Sequence, residues 1–251
     1  MRPQISIVIP ARDEEGRIGS SIEAVHTVLT QAGYDPEIIV VDDGSSDGTA
    51  QEVVQISKGR DVRLVTHARP LGKGAALVSG LRVSSGELVG FIDADLEYPA
   101  EALPQMAQMI YEMGPKAVCV VAVRTRDERH RLDRVTSRIG RRIAQLLLRL
   151  GVRDTQAGLK MFPGWFARAA LSAAREAGWL FDVEALVLAA EHDVSIMEIP
   201  VVQRCVRRRR TGIGDMIACT LPLIGYAVRR HDLRRQLHRS PVPYRRNSAG
   251  M

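Results

Sequence analysis

Aromatic side chains are scarce in this chain, at 4% of 251 residues. That leaves too few stacking surfaces for a platform that reads single-stranded nucleic acid. Lysine is scarce too. It stands only at Lys58, Lys73, Lys116 and Lys160, so the basic charge behind a net +6 is nearly all arginine. Cys119, Cys205 and Cys219 lack metal-site spacing and read as small buried hydrophobes in a reducing compartment. No apolar run approaches the roughly 20 residues of a spanning helix. The uncharged stretch 217–228 is short and holds Pro222. The apolar residues 5–9 are too few for a secretory leader and end at Pro10. These absences point to a cytoplasmic protein, at most peripheral at the cytoplasmic face of a membrane.

What is present is a strand–helix alternation. Short apolar runs at 5–10, 37–41, 62–66, 88–92 and 117–123 read as strands. Between them lie helical segments at 18–31, 48–57, 72–83 and 103–113. Such alternation implies right-handed crossovers and a single α/β domain, its mostly parallel central sheet flanked by helices. The second half is less regular. A charged loop at 124–133 precedes a helix at 135–150, and residues 154–162 lead into a short strand. Helices follow at 165–177 and 182–191, then an extended run at 194–205 broken at Pro200. Beyond it, residues 217–237 are amphipathic and residues 240–251 are polar, which predicts disorder.

The chemistry lies where strands end. Leu88-Val-Gly-Phe-Ile runs into Asp93-Ala-Asp95. Residues two apart in an extended chain point the same way, so both carboxylates can face one ion. Hard oxygen donors suit Mg²⁺ or Mn²⁺, with phosphates and water completing the shell. The first strand ends at Pro10-Ala-Arg-Asp-Glu14, and the second at Asp42-Asp43-Gly44. Carboxylates there can accept from a base N–H or a ribose hydroxyl. Alone, each segment would pass for helix-capping chemistry. Together, three acidic strand ends in one sheet make a nucleotide-plus-metal cleft. Gly72-Lys73-Gly74 opens a helix and can meet a phosphate, though it is neither a Walker P-loop nor a dinucleotide fingerprint.

Residues 5–18, 40–49, 72–80, 91–96, 154–162 and 178–186 together resemble the inverting family 2 glycosyltransferases of the nucleotide-diphosphosugar transferase (GT-A) fold. Within that family the chain looks like the polyprenyl-phosphate sugar synthases. Asp154-Thr-Gln-Ala-Gly-Leu-Lys-Met-Phe162 and Gly178-Trp-Leu-Phe-Asp-Val-Glu184 look more like the dolichyl-phosphate glucosyltransferase branch than the mannosyltransferase branch. The resemblance implies that Pro10, Glu14 and Asp43 hold the nucleoside of a sugar nucleotide, and that Asp93 and Asp95 hold the metal on its diphosphate. It also shows departures. Arg12-Asp13 replaces the family's Tyr-Asn, and Glu97 stands where many mannosyl members have glutamine. Arg209-Arg-Thr-Gly-Ile-Gly-Asp215 resembles an Arg-x-x-Gly-x-Ser-Lys pattern without its serine and lysine, so a phosphate role there falls on arginine.

The expected reaction moves a hexose from a sugar nucleotide, UDP-glucose before GDP-mannose, to polyprenyl phosphate. Such an acceptor is already anionic, so it needs a cationic cradle more than a base. Arg124, Arg126, Arg129, Arg131, Arg134 and Arg138 lie together in the sequence after the 117–123 strand and supply that cradle. Asp182 and Glu184 either position sugar or acceptor, or serve as acids at a helix start. The alternative is a soluble acceptor in the same cleft, with Asp154, Asp182 or Glu184 as base. A nucleotidyltransferase shares paired metal carboxylates, but its activation loop is not recognisable. A nucleic-acid-binding protein would use the basic surface, which the acidic strand ends contradict. The expected layout is a glycosyltransferase domain over 1–215, an amphipathic segment over 216–239 that meets an anionic membrane surface, and a basic tail over 240–251.

Overall fold

Strands β1 (Gln4–Ala11) and β2 (Asp35–Asp42) are buried along nearly their whole length. A strand covered on both faces needs apolar residues at odd and even positions alike. Ile5, Ile7, Ile9, Ile38 and Val40 join one hydrophobic cluster, while Val8, Ile39 and Val41 join another. The computed structural model describes residues 4–114, 118–125, 152, 154–155, 157–176, 178 and 180–203. The expected helix at 135–150 and the segments beyond residue 203 lie outside them.

The remaining strands are β3 (Val62–Thr66), β4 (Leu88–Ile92), β5 (Val118–Arg124), β6 (Leu159–Pro163) and β7 (Ser195–Val201). They form one sheet of order β3-β2-β1-β4-β6-β5-β7. Its pairings are parallel except that β6 runs antiparallel to both β4 and β5. Helices α1 (Ile18–Gln31), α2 (Thr49–Ile56) and α4 (Ala102–Met113) send Ile18, Val53 and Met106 into the first cluster. Helix α3 (Lys73–Val83) sends Ala76, Leu77 and Leu81 into the second, with Phe166 of α5 (Gly164–Ala169). Helix α6 (Phe181–Glu191) joins both, Val183 and Leu186 in the first and Phe181 and Ala185 in the second, so apart from Asp182, Glu184 and Glu191 its residues are apolar on more than one face.

The strand order reverses between β1 and β4. β1 connects to β2 on one side, and the chain returns through α3 to β4 on the other. In an open α/β sheet the crevice at such a switch point, outside the carboxyl ends of the strands, is the ligand site. Pro10, Asp42 and Asp93 all fall at those ends, as their spacing predicts.

Two expectations need correction. The helix expected over 165–177 stops at Ala169, followed by a 3₁₀ turn at Leu171–Ala173. The amides of Arg175 and Glu176 donate instead to the Glu184 carboxylate at 2.9–3.2 Å, a bond that a helical residue would give to its own preceding turn. The extended run is not broken at Pro200. β7 continues through it to Val201, since β7 is an edge strand, where a missing N–H is tolerated.

Candidate active site

The loops leaving β1 and β2 are locked together by reciprocal bonds. Asp13 donates its amide to Ser45 Oγ at 3.0 Å and accepts the Ser46 amide on Oδ1 at 2.8 Å. Glu15 donates to Asp47 Oδ2 at 3.1 Å and accepts from Gly48 at 3.0 Å, and the Glu14 amide meets Thr49 Oγ1 at 2.9 Å. Glu52 of α2 reaches back to the start of α1, taking the Gly16 and Gly19 amides at 2.6 and 2.8 Å. A carboxylate there satisfies orphan N–H groups and meets the positive helix end. Asp13 has φ +53°, a conformation Asp and Asn tolerate. Asp13 therefore acts as a latch between loops. Glu14 is paired with Arg17 at 3.2 Å. Asp42 Oδ1 accepts the Ser45 amide at 3.0 Å and its hydroxyl.

Asp43 is buried and faces the segment before α3. Its Oδ1 meets His67 Nδ1 at 2.7 Å and the Leu71 amide at 2.8 Å, and Oδ2 takes the Gly72 amide at 2.8 Å. His67 Nε2 lies 2.9 Å from Ser79 Oγ on α3. Burial opposes ionisation of Asp43, but the bonds from Leu71, His67 and Gly72 outweigh it and hold its pKa below the usual carboxylate value. Gly44 turns the chain at φ +68°, and a Cβ there would lie 2.7 Å from the Arg69 carbonyl carbon. Asp43 and Gly44 thus fix where the α3 N-terminus points, the structural work beneath the nucleoside role that the resemblance implies.

Asp93 and Asp95 follow β4 directly. Asp93 donates its amide to the Gly158 carbonyl at 3.2 Å, and a Cβ on Gly158 would lie 2.0 Å from Asp93 Oδ2. A glycine is what lets the carboxylate lie against that backbone. Asp95 Oδ1 accepts the Glu97 amide at 3.1 Å, and Leu96 takes φ +48° to turn the chain. Lys73 Nζ, from the first residue of α3, sits 2.7 Å from Asp93 Oδ1 and 3.3 Å from Asp182 Oδ2. Lys160 Nζ, from β6, sits 2.5 Å from Asp182 Oδ1 and 2.5 Å from the Ala157 carbonyl. The result is an alternating chain Asp93–Lys73–Asp182–Lys160.

The electrostatics follow from that chain. Burial alone would raise Asp182, but Lys160 and Lys73 outweigh it and hold its pKa low. Burial would lower Lys73, and Asp182 and Asp93 reverse that into a rise. Lys160 is displaced downward because burial exceeds what Asp182 returns. Asp93 is displaced upward by burial, with Asp182 and Asp95 adding to it and Lys73 opposing.

Arg124 ends β5, and its Nε pairs with Asp154 Oδ2 at 2.7 Å; the Tyr98 hydroxyl lies 3.4 Å from the same oxygen. Burial and the Asp154 carboxylate push the Tyr98 phenol up. The carboxylates that a soluble acceptor would need as base are therefore engaged: Asp154 with Arg124, Asp182 with both lysines, Glu184 with the 175–176 amides. Arg126, Arg129, Arg131, Arg134 and Arg138 lie outside the described residues, as do Arg207 to Arg210, Arg209 included.

Asp93 and Asp95 are the candidates for holding a divalent cation. The donors are hard oxygens, and the Gly158 cradle holds one carboxylate in place. Among the described residues no group of three or more His, Cys, Asp or Glu could hold a metal ion. A cation on this pair would thus draw further oxygens from a bound ligand. Sequence reasoning missed Lys160, Gly158, His67 and Glu52. Lys160 carries a local signal: a lysine inside an apolar strand needs a buried partner.

Residues 6–164 match the family described as Glycosyl transferase family 2. The chain is similar to a dolichyl-phosphate beta-glucosyltransferase of Trichomonas vaginalis, 31% identical over 237 residues, covering 89% of this chain and 70% of that one. It is also similar to a dolichyl-phosphate beta-glucosyltransferase of Dictyostelium discoideum, 27% identical, covering 78% of this chain and 65% of that one. Among solved structures it is similar to glucosyl-3-phosphoglycerate synthase of Mycobacterium tuberculosis in complex with Mn²⁺, UDP-glucose and phosphoglyceric acid. The TM-score is 0.70 at 23% identity, over 91% of this chain and 79% of that one. Mannosyl-3-phosphoglycerate synthase of Rubrobacter xylanophilus gives 0.63 at 20% identity, over 99% and 79%. These last two likenesses are of fold.

Proposed function

The chain belongs to glycosyl transferase family 2 and has its GT-A fold, and from that premise we propose that it transfers glucose from UDP-glucose to polyprenyl phosphate with Mg²⁺ or Mn²⁺. One observation carries the reading. The Asp93–Asp95 turn lies at the carboxyl end of β4, beside the β1/β4 switch point, with Lys73 at 2.7 Å. The 31% identity to a dolichyl-phosphate beta-glucosyltransferase supports glucose and a lipid phosphate.

Asp93 and Asp95 would hold the cation. When bound, it supplies positive charge where the departing nucleoside diphosphate gathers negative charge. Pro10, Glu14, Asp42 and Asp43 shape the nucleoside side of the cleft, and Lys73 at the α3 N-terminus meets the diphosphate. Arg124, Arg138 and Arg209 meet the phosphate of the acceptor. An acceptor phosphate is already anionic, so attack needs no carboxylate to remove a proton. That agrees with Asp154, Asp182 and Glu184 being spent on internal partners. Asp182 then positions Lys73 and does not act as base.

The domain spans 1–215, and residues 216–239 dock on an anionic bilayer, bringing the cleft to its lipid at the cytoplasmic face, with 240–251 as a basic tail. Among the described residues no helix is long and apolar enough to cross a membrane. The test is a radiolabelled transfer assay with a panel of sugar nucleotides against polyprenyl phosphate and water-soluble acceptors, with and without EDTA. Metal-dependent labelling of the lipid phosphate from UDP-glucose is expected. Transfer to a soluble acceptor alone would overturn the reading.

A further inference from the structure

Asp93, the first carboxylate of the metal pair, already carries a cation. Lys73 Nζ lies 2.7 Å from its Oδ1. Its Oδ2 lies against Gly158, where a Cβ would come within 2.0 Å. One oxygen thus carries an ammonium, and the other packs against the side-chain-free face of Gly158. A Mg²⁺ ion bonds oxygen at about 2.0–2.1 Å. An ammonium within hydrogen-bond distance of the same oxygen stands in its way, and the two like charges repel.

Lys73 has somewhere else to go. The same Nζ is 3.3 Å from Asp182 Oδ2, and Asp182 is anchored through its other oxygen by the fully buried Lys160. A small pivot of the Lys73 side chain would leave Asp93 while keeping Asp182. The backbone below cannot follow, because the Leu71 and Gly72 amides are tied to Asp43. The movable part is the side chain alone.

We propose that Lys73 is the resident counter-cation of Asp93 in the donor-free enzyme, and that a divalent metal must displace it toward Asp182 in order to bind. This rests on the metal reading of Asp93 and Asp95 given above. The consequence is coupling. Metal alone competes with Lys73 and binds weakly. A nucleoside diphosphate gives the displaced ammonium a new anionic partner, so nucleotide and metal strengthen each other's binding through this one side chain.

The experiment measures Mn²⁺ binding by isothermal titration to the full chain, alone and with UDP, for the wild type and Lys73→Met. Removing the competitor should tighten binding of Mn²⁺ alone by about tenfold, and should shrink the gain that UDP brings, within the range of ordinary site coupling. Unchanged or weaker binding of Mn²⁺ alone to a folded Lys73→Met overturns the proposal. If Mn²⁺ binds neither protein even with UDP, the metal reading itself fails and takes the switch with it. A measurement on the wild type guards against misfolding of the variant. With lysine only at positions 58, 73, 116 and 160, the ¹³Cε signals of labelled lysine are few. The Lys73 signal should move on adding Mg²⁺ alone, and stay still in Asp93→Asn. A Lys73 signal unmoved at saturating Mg²⁺ overturns the proposal.

Discussion

Lys160 Nζ donates to Asp182 Oδ1 at 2.5 Å, and neither side chain reaches solvent. The ring of Phe91 lies 5.4 Å from the same ammonium. Lys73, 3.3 Å from Asp182 Oδ2, is the second cation on this carboxylate and would remain after removal of Lys160. Lys160→Met should therefore cost about 1.5–3 kcal/mol of stability, the loss of one charged hydrogen bond from a buried carboxylate that keeps its Lys73 partner. Urea denaturation of the two proteins measures it. A loss below about 1 kcal/mol would mean that Lys73 alone satisfies Asp182.

Gly158→Ala tests the cradle under Asp93. The added Cβ would lie 2.0 Å from Asp93 Oδ2, so the carboxylate must move. A displacement of about 1 Å at a reacting centre can cost about 100-fold in rate. Transfer should fall by that order while the thermal midpoint changes little. Full activity in this variant would show that the Asp93 position is not critical.

Asp95 is half-buried and carries little packing. Asp95→Ala should lower kcat by at least about 100-fold, matching the effect of EDTA on the wild type, with an unchanged circular dichroism spectrum. Activity that survives both treatments would remove the pair from the metal role.

The Asp43 carboxyl is held below its usual pKa by the Leu71, His67 and Gly72 bonds. A depressed folded pKa contributes stability above the unfolded value, near 4, and loses it as pH falls through the folded value. Asp43→Asn should cost about 1.5–3 kcal/mol at pH 7. The gap between variant and wild type should close as pH drops below 4. Thermal melts at pH 3 to 7 give the comparison, and a gap independent of pH would assign the effect to geometry alone.

Docking on a bilayer is read by sedimentation with vesicles. Binding should require anionic lipid, weaken with salt, and drop on removing residues 216–251, since each arginine near such a surface contributes about 1 kcal/mol. Indifference to anionic vesicles at low salt would favour a soluble acceptor.

The sequence by itself determined the α/β alternation and the bounds of most elements. α1 runs over Ile18–Gln31 and β3 over Val62–Thr66, as their periodicities predict. Strand ends at Pro10, Asp42 and Ile92 fall on one edge because parallel strands put their carboxyl ends together. Asp93-Ala-Asp95 was legible as an acidic strand end, but the extended backbone expected there is a turn, closed by the Leu96 amide on the Asp93 carbonyl at 3.1 Å. Only tertiary structure decided the rest. β6 enters between β4 and β5 in the opposite direction, and a short apolar run carries no mark of its neighbour or its sense. Lys73 meets Asp182 across 109 positions of sequence. Charge pairing at that range depends on where α3, β6 and α6 converge, and no local pattern encodes that. The same holds for Glu184, whose bonds to the 175–176 amides end the helical stretch that composition favours. Propensity acts along the chain, while these contacts act across it, and inside a buried site each is strong enough to override a local preference.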